Sequence, residues 1–121
     1  MATKQVLVIR KDLKMRRGKE ISQCSHAALA FLSKKHMNNI PLTDAEKEWL
    51  DNSYAKICLV VNSEEELMAV HQKALDAGLE SNLIIDSGKT EFHGVLTKTC
   101  LAIGPDYCEK IDPITSNLTL Y

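Results

Sequence analysis

The stretch Gln5–Arg10, with the sequence Q-V-L-V-I-R, is a run of aliphatic residues that shows no polar alternation. Such a run is typical of a strand that is buried on both faces of a sheet. A basic segment follows and ends at Gly18, and from Lys19 to about Lys35 apolar residues recur at helical spacing. The apolar stripe of this predicted helix consists of Ile21, Cys24, Ala28, Phe31 and Leu32. The beginning of the chain therefore predicts a central strand, a basic loop and an amphipathic helix.

Strands and helices continue to alternate after this helix. Thr43 with Glu46, and Ser63 with Glu66, are spaced as capping boxes and predict two further helix starts. The later predicted strands are Lys56–Val61, Asn82–Asp86 and Thr99–Ile103, the last ended by Gly104-Pro105, and a short helix is expected around Tyr107–Ile111. Alternation of this kind indicates an α/β fold. We therefore expect residues 1–121 to form one domain, with a single four-stranded sheet and helices on both of its faces.

Positive charge is concentrated at the start of the chain. Of the 121 residues, 15 are Lys or Arg and 16 are Asp or Glu, so the formal net charge is −1. Residues 1–19 contain seven of the basic side chains and one acidic side chain, Asp12. This asymmetry favours a polyanionic partner that binds at one place on the surface. The alternative is a solvated loop whose charges only increase solubility.

Composition and cysteine spacing narrow the possible classes of protein. Hydrophobic residues make up 45% of the chain, as in an ordinary globular domain, and no apolar run has the length of a membrane helix. Arg10 and Lys11 interrupt the N-terminal apolar run, which argues against a signal peptide and favours a cytoplasmic protein. None of the four cysteines forms a Cys-x-x-Cys pair. We therefore expect free thiols, and neither a metal nor a cofactor.

A polar stripe on the first predicted helix is one candidate site. Lys19, Gln23 and His26 stand at positions i, i+4 and i+7, which places them on one side of the helix. A cation, an amide and an imidazole together could bind phosphate, orient a carbonyl group and transfer a proton. The alternative is the ordinary solvent face of an amphipathic helix.

The turn Asp86-Ser87-Gly88-Lys89-Thr90 is the second candidate site, because ligands bind beyond the carboxyl ends of strands in α/β sheets. Asp86 could act as a general base and Thr90 as a hydrogen-bond donor. The triplet Gly-Lys-Thr is not a phosphate-binding P-loop, because Leu83 stands where the first glycine of that motif is needed. The alternative is an ordinary Asp-Ser-Gly turn.

Several of these segments, taken in order, resemble the archaeal and eukaryotic-type (second) peptidyl-tRNA hydrolase family. The segments that carry the resemblance are Val6–Met15, Gly18-Lys19, Gln23–Ala28, Gly78-Leu79, Asp86–Thr90, Thr99, Ala102–Pro105 and Leu118–Tyr121. The resemblance implies a four-stranded mixed sheet and a homodimer. It also implies cleavage, without a metal, of the ester that joins a peptide to the 3′ end of tRNA.

The resemblance further implies which residues form the site. The family's active-site set falls on Lys19, Gln23, Asp86, Thr90 and Thr99, and His26 would have a packing or supporting role. Asp86 would orient or deprotonate water, while Gln23, Thr90 and Thr99 would donate to the ester oxygen. The residues expected to contact tRNA phosphates are Lys14, Arg16, Arg17 and Lys89. Thr97 competes with Thr99 for the last catalytic position, and we choose Thr99 because it adjoins the apolar run of a strand.

Three departures from the family pattern concern the edges of this site. Arg16-Arg17 replaces part of a glycine-rich stretch, and the loop 91–98 is altered and one residue longer. Glu91 stands where an uncharged glutamine is usual, so it places a negative charge beside the expected RNA site. These changes support an alternative function, a non-catalytic tRNA-binding or regulatory domain on the same scaffold.

Overall fold

The computed structural model describes residues 1–89 and 91–121, and in these residues five strands and four α-helices follow one another. The strands are β1 (Thr3–Arg10), β2 (Lys56–Val61), β3 (Ser81–Asp86), β4 (Thr97–Tyr107) and β5 (Thr119–Leu120). The helices are α1 (Arg17–Asn38), α2 (Asp44–Glu48), α3 (Glu64–Asp76) and α4 (Cys108–Thr115), and a π-helical turn (Trp49–Ser53) continues α2. The predicted α/β alternation is confirmed.

The strands form one mixed sheet in the order β3-β4-β1-β2-β5. β1 is parallel to β2 and antiparallel to β4, and its inner residues Val6, Val8 and Ile9 are almost fully buried. The prediction of four strands was wrong, because β5 pairs with β2 at the sheet edge. β5 consists of two exposed residues, so it lacks the apolar run by which strands are predicted from sequence.

β4 is longer than predicted, since it continues past Gly104 and Pro105, which are joined by a cis peptide bond, to Tyr107. Its pairing with β1 shifts register there: Lys4 pairs with Asp106, but Val6 pairs with Ile103. Two residues of β4 therefore lie opposite one residue of β1 in a β-bulge, where the missing N–H of proline is tolerated. Gly104 has a φ of +86°, and a Cβ atom there would lie 2.8 Å from the Asp106 nitrogen.

Helices cover both faces of the sheet, as predicted. Side chains of β1 alternate between the two layers: Val6 and Val8 pack with α3 and α4, whereas Leu7 and Ile9 pack with α1. We call the second group, around Leu7, Ile9, Met15, Ala27, Val60, Cys100 and Ala102, the α1-face cluster. Within the described part of the chain, no helix combines the length and the apolar character needed to cross a membrane.

The buried face of α1 differs from the predicted apolar stripe. Its buried residues are Gln23, Ala27 and Phe31, one turn apart, whereas the side chain of Ile21 is 61% exposed. The helix is rotated so that a polar residue, Gln23, faces the sheet. Apolar periodicity could not predict this orientation, because the amide of Gln23 is stabilised inside by hydrogen bonds rather than by apolar packing.

Candidate active site

The candidate site lies where the first turn of α1 meets the sheet. β1 and β3 are both antiparallel to β4, so they point the same way and their carboxyl ends lie at the same edge of the sheet. The basic loop connects the end of β1 to α1, and Asp86 is the last residue of β3. Lys19 and Gln23 of α1 therefore reach Asp86, and Thr99 reaches them from the start of β4. The two candidate sites in the sequence form one site.

Four side chains form a continuous chain of hydrogen bonds in this site. The Thr99 hydroxyl donates to Oε1 of Gln23 at 2.6 Å, and Nε2 of Gln23 donates to Oδ1 of Asp86 at 3.3 Å. Nζ of Lys19 donates to the same Oδ1 at 2.9 Å. Gln23 is 3% exposed and Thr99 is fully buried, so water does not compete for these bonds. The arrangement fixes the orientation of the Gln23 amide.

The charges in this site are partly shielded from solvent, since the Lys19 and Asp86 side chains are 13% and 11% exposed. The hydrogen bond from Lys19 lowers the pKa of Asp86, against the opposing effect of burial. The backbone N–H of Gly88, which donates to Oδ2 at 2.8 Å, and the Gln23 amide lower this pKa further. Asp86 is therefore an ionised acceptor near neutral pH and a weak base.

A β-bulge explains why Thr99 reaches the site. Ile84 of β3 pairs with Cys100, but Ile85 pairs with Lys98, so Thr99 is the extra residue of β4. Regular alternation would turn Thr99 away from Cys100, which faces α1, whereas the bulge turns both side chains toward α1. Thr97 is the first residue of β4 and its hydroxyl donates to the Val95 carbonyl, not to the site. The structure therefore brings Thr99, and not Thr97, to Gln23.

The predicted phosphate-binding residues Lys14, Arg16, Arg17 and Lys89 are all exposed around this site. The basic loop is held against the protein by Met15, which is 7% exposed and packs in the α1-face cluster. Lys14 has a positive φ of 52° next to this anchor. Anchored in this way, the loop presents its cations to solvent beside the Lys19–Asp86 pair.

Two predicted residues are not part of the described cluster. His26 is exposed, and its side chain has no hydrogen-bond or ion-pair partner in the described ranges 1–89 and 91–121. His26 is three residues after Gln23 on α1, so around the helix axis its side chain points about 60° away from that of Gln23 and lies on the outer side of the helix. Thr90 lies outside the residues that the structure describes.

Phe92 is a site neighbour that the sequence analysis missed. Its half-buried ring packs against the α1-face cluster, and its centroid lies 5.8 Å from Nζ of Lys19. This distance is within the range of a cation–π contact. The signal in the sequence was a single aromatic residue in an otherwise polar segment, Glu91–His93. Phe92 therefore lies beside the Lys19 side of the site.

The chain is similar to known proteins over almost its whole length. The family described as "Peptidyl-tRNA hydrolase PTH2" matches residues 3–121. The "Peptidyl-tRNA hydrolase" of Methanocaldococcus jannaschii is 43% identical over 118 residues, which cover 97% of this chain and 98% of that protein. The protein of the same name from Nanoarchaeum equitans is 43% identical over 118 residues, 98% of each chain.

A longer relative matches over the same region. The "Probable peptidyl-tRNA hydrolase 2" of Dictyostelium discoideum is 43% identical over 121 residues, which cover 98% of this chain and 54% of the relative. The chain thus spans about half of that protein and almost all of the two archaeal proteins. Together, the family match and these identities show that the chain belongs to the PTH2 family of peptidyl-tRNA hydrolases.

Proposed function

We propose that this chain hydrolyses the ester between a peptide, or an N-blocked amino acid, and the 3′ end of tRNA, and so releases free tRNA. The observation that carries the proposal is the buried chain Thr99–Gln23–Asp86–Lys19 beside an exposed basic loop. Family membership supports the same reaction. Because this substrate arises during translation, we place the protein in the cytoplasm.

Lys19 and Gln23 are the groups that we assign to the ester carbonyl. The ammonium of Lys19 and the amide of Gln23 converge on one oxygen of Asp86, so both are held at a defined position. Preorganised donors of this kind stabilise the negative charge that develops on the carbonyl oxygen during attack. We retain Thr90, which lies outside the described residues, as a third donor.

Asp86 and Thr99 act mainly by orienting other groups. The lowered pKa of Asp86 makes it a weak base, so we assign it to orienting the attacking water and holding Lys19. The hydroxyl hydrogen of Thr99 is committed to Gln23, and Thr99 therefore acts as a positioning residue. The oxygen of the water bonds to the carbonyl carbon, the bond from that carbon to the 3′ oxygen breaks, and one water proton passes to the 3′ oxygen. The products are tRNA with a free 3′ hydroxyl and a peptide with a free carboxyl group.

Binding of tRNA rests on the exposed cations Lys14, Arg16, Arg17 and Lys89. The chain has six aromatic residues and no interleaved basic–aromatic pattern, so stacking on bases is not the main contact. Contacts from Lys and Arg to phosphates are independent of sequence and depend on salt. This mode of binding suits an enzyme that accepts many tRNAs.

We also propose that the chain forms a homodimer through the surface where α1 meets the β1–β2 side of the sheet. An apolar groove of about 370 Å³ lies there, with Leu7, Ile9, Cys24 and Cys58 among its lining residues. Ile21 and Tyr121 border it and are 61% and 53% exposed. A second copy would cover this surface, and Ile21→Asp should then shift the protein toward monomer in sedimentation or light scattering. A monomeric wild type would contradict the homodimer.

The alternative function is a non-catalytic tRNA-binding or regulatory domain. The observation in its favour is the departure from the family pattern beside the site, where the carboxylate of Glu91 lies against the basic loop at Arg16. Both functions predict tRNA binding, but only the hydrolase cleaves the ester. An assay of ester cleavage therefore distinguishes the two functions, whereas a measurement of tRNA affinity does not.

The test measures release of an N-blocked amino acid from N-blocked aminoacyl-tRNA by the purified protein. We expect turnover without added metal, and we expect it to persist in the presence of a chelator. Asp86→Asn is the matched control, since it keeps the size of the side chain and removes its charge. Absence of release at any enzyme concentration would contradict the hydrolase and, together with tRNA binding, would support the binding domain. Loss of activity with chelator would contradict the metal-free reaction.

A further inference from the structure

Glu91 lies on a segment that is fixed against the protein body. The N–H of Gly94 donates to the Gly88 carbonyl at 2.9 Å, and the N–H of Val95 donates to the Phe92 carbonyl at 2.9 Å. Gly88 has a φ of +82°, and a Cβ atom there would lie 2.3 Å from the Val95 oxygen. The ring of Phe92 packs in the α1-face cluster. These contacts determine where the neighbouring residue Glu91 is placed.

The Glu91 carboxylate faces the start of α1. Its Oε2 accepts from the backbone N–H of Arg16 at 3.4 Å, and its Oε1 lies 3.8 Å from Nε of Arg16. The Glu91 side chain is only 20% exposed, whereas the Arg16 side chain is 90% exposed. The carboxylate is therefore the sheltered member of the pair, held by its own segment, while the guanidinium remains open to solvent.

This placement puts one negative charge among the cations of residues 10–19. A carboxylate and a phosphate accept the same donors, a backbone N–H and a guanidinium group. Arg16 can direct its Nε–H either toward Glu91 or toward a phosphate of the substrate. When it binds the phosphate, the negative charge of Glu91 loses part of the positive charge that compensates it. Glu91 therefore opposes binding of a polyanion at Arg16.

We propose that Glu91 occupies the position of a substrate phosphate on Arg16, and that it thereby limits the affinity of the protein for tRNA. The inference rests on the proposed function, because it takes tRNA as the polyanion. It makes Glu91 a determinant of affinity that works by competition. Weaker binding of the tRNA body also speeds release of the deacylated product.

The competition predicts a specific salt dependence. When Arg16 leaves Glu91 to bind a phosphate, the cation released from the phosphate is offset by a cation that the uncompensated carboxylate attracts, so this contact adds little to the salt slope. Glu91→Gln keeps the hydrogen-bond acceptor and removes the charge. We expect it to tighten tRNA binding about three- to tenfold at low salt and to steepen the slope of log K against log salt by about 0.9, the value for one phosphate contact.

The experiment measures the dissociation constant of deacylated tRNA between about 50 and 200 mM salt, the range over which phosphate contacts change affinity most. The variants are wild type, Glu91→Gln, Arg16→Ala, the double variant and Glu109→Gln. Glu109 is exposed in the first turn of α4, beyond the end of β4 that is opposite the site. Glu109→Gln therefore removes the same charge at a distance from the basic loop. Thermal melting of each variant checks folding.

Tighter binding and a steeper slope in Glu91→Gln, both lost when Arg16→Ala is added, would support the inference. Equal affinity and slope in Glu91→Gln and Glu109→Gln would overturn it, and so would a gain that persists in the double variant. Ester cleavage is measured separately on N-blocked aminoacyl-tRNA. A wild type that binds tRNA without cleaving it would contradict the hydrolase and leave the competition at Arg16 to be decided by the binding data.

Discussion

The two ends of α1 each carry a largely buried pair of lysine and carboxylate. Lys19 pairs with Asp86 near the N-terminal end, and Lys35 pairs with Glu46 near the C-terminal end. Both lysine side chains are 13% exposed. The lysines are about 24 Å apart along the helix at 1.5 Å per residue. Similar chemistry and similar burial therefore occur twice on one helix.

The surroundings distinguish the two pairs. Glu46 also accepts from the backbone N–H of Thr43 and completes the capping box of α2, so its oxygens join α1 to α2. Asp86 is the last residue of β3, and the Lys19–Asp86 pair lies next to the basic loop and to the exposed segment 93–96. A largely buried ion pair by itself does not identify an active site. Access for an anionic substrate makes the Lys19–Asp86 pair the candidate.

The pKa of Glu46 is lowered, as is that of Asp86, but the groups that surround the two carboxylates differ. Burial would raise the pKa of Glu46, but hydrogen bonds from Lys35 and from the Thr43 N–H outweigh burial and lower it. A second carboxyl, Glu80, lies within reach of Lys35, and burial together with Glu46 raises its pKa. The C-terminal pair is part of a closed network whose members compensate one another, as expected of a structural element.

Asp86→Asn should have the largest effect on catalysis. The substitution removes the charge that holds Lys19 and Gln23, and we expect kcat to fall about 10³-fold, as when a preorganised donor array is lost. The readout is single-turnover cleavage of N-blocked aminoacyl-tRNA. The melting temperature should change little, because Lys19 can turn to solvent. A large loss of stability with normal kcat would instead assign this pair to the scaffold, like Lys35–Glu46.

The lowered pKa of Asp86 also predicts the pH profile. The pKa of Asp86 is lower in the folded protein than in the unfolded chain. The stabilisation that the Lys19–Asp86 pair provides is therefore fully present above the unfolded-state pKa and is lost as the pH falls through the folded-state pKa. We expect no decrease in kcat from this residue until the pH is below about 4, the ordinary value for Asp. A decrease centred near pH 6 would show that another group controls the reaction.

Thr99→Val should have the next largest effect. It keeps the shape of a fully buried side chain and removes the hydroxyl that holds Gln23. We expect kcat to fall about 10²-fold or more, and Thr97→Val should cost less than about tenfold. Steady-state kinetics of the two variants side by side test this. The opposite ranking would show that the bulge does not place the functional hydroxyl.

Glu46→Gln should affect stability rather than catalysis. It leaves the Lys35 cation without its buried counter-charge, and we expect the free energy of unfolding to decrease by about 2 kcal/mol. Urea denaturation at neutral pH measures this. The difference from wild type should shrink as pH falls through the lowered pKa of Glu46, where the wild-type carboxyl also becomes neutral. A strong loss of kcat in a folded variant would break the contrast between the two pairs.

The smallest effect is expected at the exposed arginines. Arg16→Ala/Arg17→Ala should raise KM several-fold, up to about tenfold, and flatten its salt dependence by about one unit, because Glu91 leaves the Arg16 contact almost without effect on the slope and Arg17 supplies the change. Lys19→Ala should lower kcat as well, because Lys19 donates to Asp86 inside the site. Steady-state kinetics at two salt concentrations distinguish a change in KM alone from a change that also lowers kcat. If both variants change only KM, Lys19 is a binding residue and belongs with the basic loop.

Much of the fold was predictable because local patterns determine it. β2 was predicted at its observed bounds, and the Thr43 capping box is present as predicted. At Ser63 the pattern held in part, since its hydroxyl accepts from the Glu66 N–H while the Glu66 carboxylate accepts from Asn62 instead. Gly78, two residues after the end of α3, has a φ of +77°, a conformation that glycine adopts readily at the end of a helix. Each of these features depends on neighbours in the chain.

The sequence alone determined the α/β alternation and the concentration of positive charge. It also determined that Lys19 and Gln23 lie in the first two turns of a helix and that Asp86 ends a strand. Only the tertiary structure decided that Thr99 faces α1, that Gln23 is buried while His26 is exposed, and that β5 closes the sheet. The physical reason is the distance along the chain over which each kind of interaction acts. Helix and strand signals act over a few residues, whereas a bulge, the rotation of a helix and an exposed edge strand are set by partners up to 76 positions away, as for Thr99 and Gln23.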